Sequence, residues 1–355
     1  MKILGIETSC DETGVALLDN AKGTIQISSS IVASSLSLHA TTGGIIPEVA
    51  AREQVKFILP TLTEALKTGL DFDIASKQTP DIDAIAVTYG PGLIGSLLVG
   101  VETAKTLALL WNKPLIPINH MYGHLYANWI TTSDFRPSTI PFPAIVLIVS
   151  GNHTDLLLMN SHSDIQVLGG TRDDAAGEAF DKIGRLLGLP YPAGSTISRL
   201  AIKGNPKKFV LPRPMIGSDD FDFSFSGLKT ATLNLVKQNK WDFADQHFKI
   251  KNEQLLANLC ASVEQAIVDV LVRKTVKAAG KYNVKSILLG GGVAANAKLQ
   301  TTLKEATSDL RLPTNLFVPR KDLCTDNGAM IASAAFFAKP ALSWKDVDAD
   351  PELYY

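Results

Sequence analysis

The stretch KILGIETSCDETGVALL, residues 2–18, decides the fold prediction, because a second stretch of the chain repeats its plan. It is predicted to form a strand from Lys2 to Glu7, a polar turn, and a return strand from Val15 to Leu18. The stretch AIVLIVSGNHTDLLLM, residues 144–159, has the same order of strand, polar turn and strand. Each half of the chain therefore opens with a hairpin.

A second pair of stretches follows each hairpin. DAIAVTYGPGLIGSLLVGVETAKTLALLW, residues 83–111, is typical of a strand, a glycine-rich turn and a helix, and VKSILLGGGVAANAKLQTTLKEA, residues 284–306, repeats that order. The two hairpins are about 141 positions apart and the later pair about 201 positions apart, so the second half carries an insertion of roughly 60 residues. The region near 200–230 is predicted to be part of it.

Two α/β halves of this kind indicate a duplicated actin-like ATPase (actin/hexokinase) fold, with two lobes around a nucleotide cleft. We expect lobe I to comprise residues 1–118 and 326–345, and lobe II to comprise residues 119–325. The alternative is an ordinary doubly wound sheet without duplication.

Bulk composition excludes several classes of protein. The 355 residues are 46% hydrophobic and 19% charged, which indicates a compact soluble protein of two domains. The net charge is −1, so any contact with nucleic acid must come from a local basic patch. The best such patch is Lys203, Lys207, Lys208 and Arg213, although a charge run of this kind is also typical of an ordinary solvated surface.

Targeting features are absent from the sequence pattern. The start, MKILGIETSC, does not resemble a signal peptide, and the apolar stretch from Leu97 to Trp111 is interrupted by Glu102 and Lys105. The three cysteines are scattered and odd in number, which favours free thiols in a reducing compartment. We expect a cytoplasmic protein with no membrane segment.

Three short motifs suggest activities that their surroundings exclude. GGGVAA at 290–295 fits a dinucleotide fingerprint, but no acidic residue ends the next strand. GPGLIGS at 90–96 lacks the lysine of a P-loop, so a glycine turn packed against a helix is the better interpretation. SGLK at 226–229 has its KTG partner before it in the chain, which is the wrong order for a penicillin-recognising enzyme.

The stretch INHMYGHLYA, residues 118–127, places His120 and His124 four residues apart, with Asn119 as a good N-cap. Residues at this spacing share a helix face and can reach one metal ion, but the pair could equally be a polar helix face. Asp326, in CTDNGAMIA, is a candidate third ligand, with the helix N-cap as its alternative role. Because methionine replaces the glutamate of HExxH, a metal here would hold or polarise a substrate.

Seven stretches together resemble the bacterial form of the tRNA adenosine threonylcarbamoyltransferase family, formerly described as O-sialoglycoprotein endopeptidases. They are GIETSCDETGVALL, HATTGGIIPEVAAR, INHMYGHL, DDAAGEAFDK, DFSFSGLKTA, LGGGVAAN and CTDNGAMIA. The resemblance implies the actin-like fold and transfer of threonylcarbamoyl from threonylcarbamoyl-AMP to N6 of adenosine 37, in tRNAs that read codons beginning with adenine, with release of AMP.

The resemblance also implies a set of site residues. The metal, iron or zinc in this family, would be held by His120, His124 and Asp326. The residues expected at the substrate are Ile148, Val149, Ser150, Gly151, Asn152, Asp181, Gly194 and Asn296. One position departs from the family, because Asn152 replaces the second glycine of its SGGHT turn. If that glycine needs a positive φ, asparagine is the most tolerant replacement, and if it gives space to a phosphate, the added side chain crowds it.

The acidic turn residues Asp11 and Glu12 are the catalytic candidates. A carboxylate there could accept the proton of the attacking amine, whereas the alternative is a turn aspartate bonded to its own backbone. The resemblance further implies bound ATP or ADP besides threonylcarbamoyl-AMP, and three partners: tRNA, a metal-less paralogue and a small ATPase.

Three other functions remain as alternatives. One is a carbamoyltransferase of the same fold that acts on a small molecule. Another is a non-catalytic scaffold paralogue, in which the histidine pair would be absent. The third is a sugar kinase, in which metal-binding histidines are not expected.

Overall fold

The computed structural model describes residues 1–21, 23–76, 78–132, 140–238, 242–244, 247–250, 252–308, 314–341 and 343–355. The chain divides into two compact units. Unit 1 comprises Met1–Ile140 and Pro319–Tyr355, and unit 2 comprises Pro141–Val318. This division differs from the predicted lobes, since residues 119–140 and 319–325 belong to the first unit. The reason is that the helix after the fifth strand packs against a helix from the chain's C-terminal part.

Unit 1 is an α/β unit whose elements, numbered in chain order, come from both ends of the chain. Its strands are β1 (Lys2–Glu7), β2 (Glu12–Ala21), β3 (Thr24–Ser34), β4 (Ala84–Gly90) and β5 (Leu115–Asn119). Its helices are α1 (Leu36–Thr42), α2 (Pro47–Leu70), α3 (Ile94–Trp111), α4 (His120–Tyr126), α10 (Lys321–Cys324) and α11 (Gly328–Ala335), with 3₁₀ turns at Ala127–Trp129 and Trp344–Asp346.

The sheet of unit 1 has the order β3-β2-β1-β4-β5. β1 pairs antiparallel with β2 and parallel with β4, and β5 continues the parallel part. Because parallel strands end at the same edge of a sheet, Glu7, Thr88 and Asn119 come together at one edge of unit 1. This edge carries most of the chemistry described below.

Side chains of β1 alternate between the two faces of this sheet, as the pleat requires. Leu4 and Ile6 are buried in a core shared with α2 and α3, through residues such as Leu62 and Val101. Gly5 lies on the opposite face, where its Cα approaches the backbone of α11. Glu7 follows Gly5 by two positions, so it shares the α11 face and not the apolar core.

Unit 2 is built in the same way. Its strands are β6 (Ala144–Val149), β7 (Thr154–Ser161), β8 (Asp164–Gly170), β9 (Asp242–Ala244), β10 (His247–Lys249), β11 (Ser286–Gly290) and β12 (Asn315–Phe317). Its helices are α5 (Ala176–Leu186), α6 (Gly194–Ala201), α7 (Ser226–Gln238), α8 (Glu253–Tyr282) and α9 (Ala297–Ser308), with a 3₁₀ turn at Gly292–Ala295.

The main sheet of unit 2 repeats the plan of unit 1. Its order is β12-β11-β6-β7-β8, with β6 antiparallel to β7 and parallel to β11. β6 thus occupies the place of β1, and β11 the place of β4. The predicted duplication is therefore confirmed. Each half also has a third antiparallel strand, β3 or β8, that the sequence patterns did not predict.

Part of the predicted insertion is an irregular segment held to helix α8 by lysines. The ammonium group of Lys274 is fully buried and donates to Ser218 Oγ at 2.6 Å and to the Asp220 carbonyl at 2.9 Å. Lys277, one turn along the helix, donates to the Ser218 carbonyl at 2.9 Å. The segment is therefore fixed by buried polar contacts, although it has little regular structure.

Within the described ranges, two helices are long and apolar enough, by length and composition alone, to cross a membrane. They are α3 and α8. Of the apolar 18-residue stretch in each helix, 72% is buried inside the protein in α8 and 39% in α3. The core helices of ordinary globular proteins pass the same test, so α8 fits that class. Helix α3 begins at Ile94, directly after the glycine-rich turn.

We expect Gly5→Ala to destabilise unit 1, because a Cβ at Gly5 would lie 2.3 Å from the Gly328 carbonyl oxygen and 2.7 Å from the Ala332 nitrogen. Backbone atoms cannot move aside like the end of a flexible side chain, so we expect a loss of unfolding free energy at the upper end of the usual overpacking range of about 1–3 kcal/mol. Thermal unfolding followed by circular dichroism measures it.

Gly280→Ala is the matched control, since Gly280 lies inside a helix with nothing within 4 Å of a Cβ at that position. Alanine is favoured over glycine in a helix by up to about 1 kcal/mol, so this variant should unfold at or above the wild-type temperature. Equal unfolding temperatures for Gly5→Ala and wild type would contradict the close approach of α11 to β1.

Candidate active site and metal centre

The histidine pair lies on helix α4, which begins directly after β5. Asn119 is its N-cap, as the sequence predicts, and the Asn119 Oδ1 atom accepts a hydrogen bond from the Met121 nitrogen at 2.8 Å. His120 and His124 are both buried, and their ring centroids are 4.7 Å apart at an angle of 77°. The spacing of four thus brings two imidazoles together inside unit 1.

Asp326 joins this pair from the other end of the chain. Its Oδ1 atom lies 3.6 Å from His120 Nε2 and 3.2 Å from His124 Nε2. Asp326 is not the N-cap of α11, because that role belongs to Asn327, whose Oδ1 atom accepts from the Met330 nitrogen at 2.9 Å. The alternative role of Asp326 as a helix cap is therefore wrong.

These three side chains fit a divalent cation. Each offers one ligand atom, and the three atoms lie within 4.8 Å of one another. Ligands of a tetrahedral ion bound at about 2.0–2.1 Å are about 3.3–3.4 Å apart, close to the two distances from Asp326. Both ring nitrogens of His124 are buried without a hydrogen-bond partner among the described residues, which is costly for a polar atom. An ion at this point would satisfy one of them.

A buried carboxylate, Glu7, stands behind His120. Glu7 is fully buried at the end of β1, and its Oε2 atom lies 3.1 Å from His120 Nδ1. Burial lowers the pKa of His120, but the charges of Glu7 and Asp326 outweigh burial and raise this pKa to about 9. The surroundings of His120 therefore favour positive charge, whether a proton or a metal ion carries it.

The turn between β1 and β2 holds the two catalytic candidates. Burial, with the neighbouring Asp326 and Asp11 carboxylates, raises the pKa of Glu12 to about 10. Asp11 is buried, and its Oδ2 atom has no hydrogen-bond partner in the part of the chain that the structure describes. Burial also raises the pKa of the Cys10 thiol, so this cysteine does not supply a thiolate nucleophile at neutral pH.

Gln54 of helix α2 fixes the shape of this turn. Its Nε2 atom donates to the carbonyl oxygens of Thr8, Cys10 and Glu12, at 3.3, 2.9 and 3.1 Å. The turn also packs against the glycine-rich segment after β4, where a Cβ at Gly92 would lie 2.5 Å from the Ser9 carbonyl oxygen. This contact supports the interpretation of GPGLIGS as a packed glycine turn.

In unit 2, the expected substrate residues begin at the end of β6. Ile148 and Val149 are buried strand residues, whereas Gly151 and Asn152 are exposed. The turn closes on itself, because the Ser150 nitrogen donates to the His153 carbonyl at 2.9 Å. It is the counterpart, in the repeated plan, of the Asp11–Glu12 turn of unit 1.

The departure at Asn152 has a simple structural outcome. Asn152 is not among the four described non-glycine residues with positive φ, which are Asp71, Asn112, Met215 and Asn283. A side chain here therefore strains no backbone, and the first of the two explanations for the family's glycine does not apply to this chain. The second explanation remains, in which the exposed asparagine side chain takes space from a phosphate.

Asp181, Gly194 and Asn296 lie in three different elements of unit 2. Asp181 Oδ1 accepts from the Ala193 nitrogen at 2.7 Å, next to Gly194 at the start of α6. Burial raises the pKa of Asp181, although the amides of Ala193 and Gly194 oppose that rise. One oxygen of Asp181 is therefore committed to holding the loop before α6.

The side-chain amide of Asn296 also makes hydrogen bonds within the protein. Its Nδ2 atom donates to Ser198 Oγ at 2.9 Å and to Glu264 Oε1 at 2.8 Å, and its Oδ1 atom accepts from the Leu299 nitrogen at 2.8 Å. The side chain thus ties the glycine-rich turn to α6, α8 and α9. To contact the base of a nucleotide, as expected, Asn296 would have to replace one of these three hydrogen bonds with a bond to the base.

We expect Asn296→Ala to destabilise unit 2 as well as to lower activity. The change removes three hydrogen bonds and leaves the buried Glu264 carboxylate without this donor, at a cost of about 1–3 kcal/mol. Thermal unfolding without any substrate measures the effect. Glu264→Gln is the control, since its amide oxygen can still accept from Asn296. Wild-type stability of Asn296→Ala would show that these bonds contribute little.

Comparison with known proteins decides the family. The family model described as tRNA N6-adenosine threonylcarbamoyltransferase matches residues 26–333. The chain belongs to this family. The chain is 45% identical over 336 residues to the tRNA N6-adenosine threonylcarbamoyltransferase of Moorella thermoacetica, covering 94% of this chain and 91% of that protein. It is 44% identical over 355 residues to that of Thermosipho africanus, covering 99% of both.

Solved structures agree on the fold of this chain. Full-length HypF in its phosphate- and nucleotide-bound form matches with a TM-score of 0.56 at 11% identity, covering 95% of this chain and 46% of HypF. The activator of the 2-hydroxyisocaproyl-CoA dehydratase from Clostridium difficile matches with a TM-score of 0.50 at 12% identity, covering 95% and 94%. The predicted actin-like ATPase fold is therefore confirmed.

Two polar residues of the site were missed by the sequence analysis. Glu7 could have been found, because strand alternation places it on the face opposite Leu4 and Ile6. Gln54 could not, since a glutamine inside an amphipathic helix gives no signal that it will bind a distant turn.

Proposed function

We propose that this chain transfers the threonylcarbamoyl group of threonylcarbamoyl-AMP to N6 of adenosine 37 in tRNAs that read codons beginning with adenine, in the cytoplasm, with release of AMP. The observation that carries the proposal is the meeting of His120, His124 and Asp326 in a chain of the threonylcarbamoyltransferase family. A scaffold paralogue without the histidine pair would not need this arrangement, nor would a sugar kinase.

The donor in this reaction is a mixed anhydride, so its carbonyl carbon is already activated. The enzyme must orient the donor and the amine, stabilise the oxyanion and remove a proton. No covalent nucleophile is required, which agrees with the raised pKa of the half-buried Cys10 thiol. A divalent ion, iron or zinc, held by His120, His124 and Asp326 would act as a Lewis acid toward an oxygen of the donor.

Proton removal is assigned to the turn between β1 and β2. The attacking N6 amine loses a proton as it acquires the acyl group, and this proton can go to Asp11, which has a buried oxygen without a hydrogen-bond partner among the described residues. Glu12, whose pKa burial raises to about 10, is protonated at neutral pH and serves as a hydrogen-bond donor. The two acidic residues would thus have different roles.

Unit 2 is proposed to bind the adenylate. The exposed tip of the turn, Gly151 and Asn152, offers backbone N–H groups to the phosphate. The second oxygen of Asp181 would accept from ribose hydroxyls, and Gly194 at the start of α6 would leave room for the sugar. Support for nucleotide binding comes from the HypF match, whose structure is described as nucleotide-bound.

Transfer to tRNA is proposed to need partners. The net charge of −1 gives no general attraction to RNA, and the exposed Lys203, Lys207 and Lys208 form a small basic surface. Arg213, the fourth member of the predicted patch, is engaged by Asp269 at 2.9 Å. A metal-less paralogue and a small ATPase, as the family resemblance implies, would complete the machinery that holds tRNA.

The metal ligands are tested by transfer to tRNA. Purified protein, with its partners, is incubated with labelled threonylcarbamoyl-adenylate and an unmodified tRNA. We expect His120→Ala, His124→Ala and Asp326→Ala each to abolish labelling and to weaken metal binding by more than about 100-fold, since even outer positions of metal sites cost 10–100-fold. His162→Ala, at a histidine of unit 2, should label tRNA as wild type does.

Two results would overturn this account. Undiminished label on tRNA with all three variants would refute the role of the metal centre. Absence of label with wild-type protein and its partners, together with carbamoyl transfer to a small acceptor, would favour the alternative carbamoyltransferase.

Because Asp11 and Glu12 are assigned different roles, their substitutions should lower kcat by different amounts. Asp11→Asn removes the proton acceptor, and because a positioned general base contributes about 10²–10⁴-fold, we expect a loss of kcat in that range. Glu12→Gln replaces a protonated carboxyl by a neutral group of the same shape, so its loss should be much smaller. Single-turnover rates with both variants measure this. A larger loss for Glu12→Gln would reverse the two assignments.

A further inference from the structure

Glu7 is a fully buried carboxylate with three donors at one edge of the sheet in the described part of the chain. Its Oε1 atom accepts from the Ser9 nitrogen at 2.6 Å, and its Oε2 atom accepts from the Thr88 hydroxyl. His120 Nδ1 is the third, at 3.1 Å from Oε2. A buried carboxylate is costly unless it is hydrogen-bonded, so this position is specific and not a chance surface charge.

The contact determines which nitrogen of His120 carries a proton. An ionised carboxylate only accepts hydrogen bonds, so a favourable contact with Oε2 requires the Nδ1–H form of the ring. Ser9 Oγ, at 3.1 Å from the same nitrogen, can accept as well. When the neutral ring binds a metal ion, Nε2 is then the atom with the lone pair, and Nε2 faces Asp326 at 3.6 Å.

We propose that Glu7 is a positioning residue for the metal centre, which holds the His120 ring with Nδ1–H toward the sheet and Nε2 toward the cation. The inference rests on the proposed metal site and deepens it. A carboxylate behind a ligating histidine fixes the orientation of the ring and makes it a better ligand. Glu7 also brings a second negative charge beside Asp326, so that the pair balances the charge of a divalent ion.

The two histidines differ in what orients their rings, and only His120 has the Glu7 carboxylate beside it among the described residues. Neither nitrogen of His124 has a hydrogen-bond partner in the described ranges, so packing and the Asp326 carboxylate, 3.2 Å from Nε2, orient that ring. It is 1% exposed, and its helix is packed against α11. His120 is the first residue of α4, at the end of the helix, where a hydrogen bond to the neighbouring strand can hold the ring in place.

The test compares Glu7→Gln with wild type in two measurements that do not depend on activity. The first is Zn²⁺ affinity, from competition with a chelator of known affinity, and we expect a loss of about 10–100-fold. The second is the imidazole ¹⁵N–¹H spectrum of the zinc-loaded protein. Wild type should show a slowly exchanging Nδ1–H proton for His120, and this signal should shift or exchange rapidly in Glu7→Gln.

Glu264→Gln is the matched control, because it makes the same change at another buried carboxyl, in unit 2. It should leave both measurements as in wild type. If Glu7→Gln does not fold, Glu7→Asp takes its place, since it keeps the charge but withdraws the carboxylate from Nδ1. An intermediate loss of affinity and an altered His120 signal are then expected.

The outcomes separate this inference from the proposed function. If His120→Ala and His124→Ala abolish zinc binding while the Glu7 variants keep wild-type affinity and the wild-type Nδ1–H signal, the role of Glu7 is overturned and the metal site stands. If the histidine variants keep full zinc affinity, the metal site itself fails.

Discussion

The proposed metal centre depends on the close packing of helix α11 against the sheet and helix α4 of unit 1. This contact is possible because glycines occur where the backbones meet. A Cβ at Gly328 would lie 2.6 Å from the Ala16 nitrogen, and a Cβ at Gly14 would lie 2.6 Å from the Gly328 nitrogen. Gly123, between the two histidines, allows Ile331 of α11 to approach α4. Asp326 comes shortly before helix α11, so the packing of this helix places Asp326 beside the imidazoles of His120 and His124.

The chemistry of unit 1 follows from the same arrangement. Parallel strands bring Glu7, Thr88 and Asn119 to one edge, and the α4 helix starts there with His120. The charges of Glu7 and Asp326 raise the pKa of His120, and burial raises the pKa of Glu12. The proposed cation ligands, proton acceptor and hydrogen-bond donor thus come from one short hairpin, one short helix and one distant loop.

Much of this could be predicted from the sequence, for physical reasons. The repeated hairpin predicts the duplicated fold, because the strand order follows from the period of the apolar residues. The spacing of His120 and His124 predicts a shared helix face. The third strands β3 and β8 were missed, since both are largely exposed and carry mixed polar patterns. The boundary after residue 118 could not be predicted either, because it depends on α4 packing against a helix some 200 positions away.

The polar supports were the hardest to predict. Asn296 and Asp181 are noticeable residues in glycine-rich or acidic stretches, yet their hydrogen bonds go to elements distant in sequence. Sequence patterns indicate which side chains are available for chemistry, whereas tertiary contacts decide which of them are committed to the fold. This distinction explains why the grouping of His120, His124 and Asp326 could be predicted more easily than the residues that support it.

The most direct test of the central claim is X-ray absorption spectroscopy of the metal-loaded protein. The account predicts a first shell of nitrogen and oxygen atoms at about 2.0–2.2 Å, with the outer-shell scattering of two imidazole rings, and the loss of one ring in His124→Ala. A first shell that contains sulfur, or one that keeps two imidazoles in His124→Ala, would contradict it.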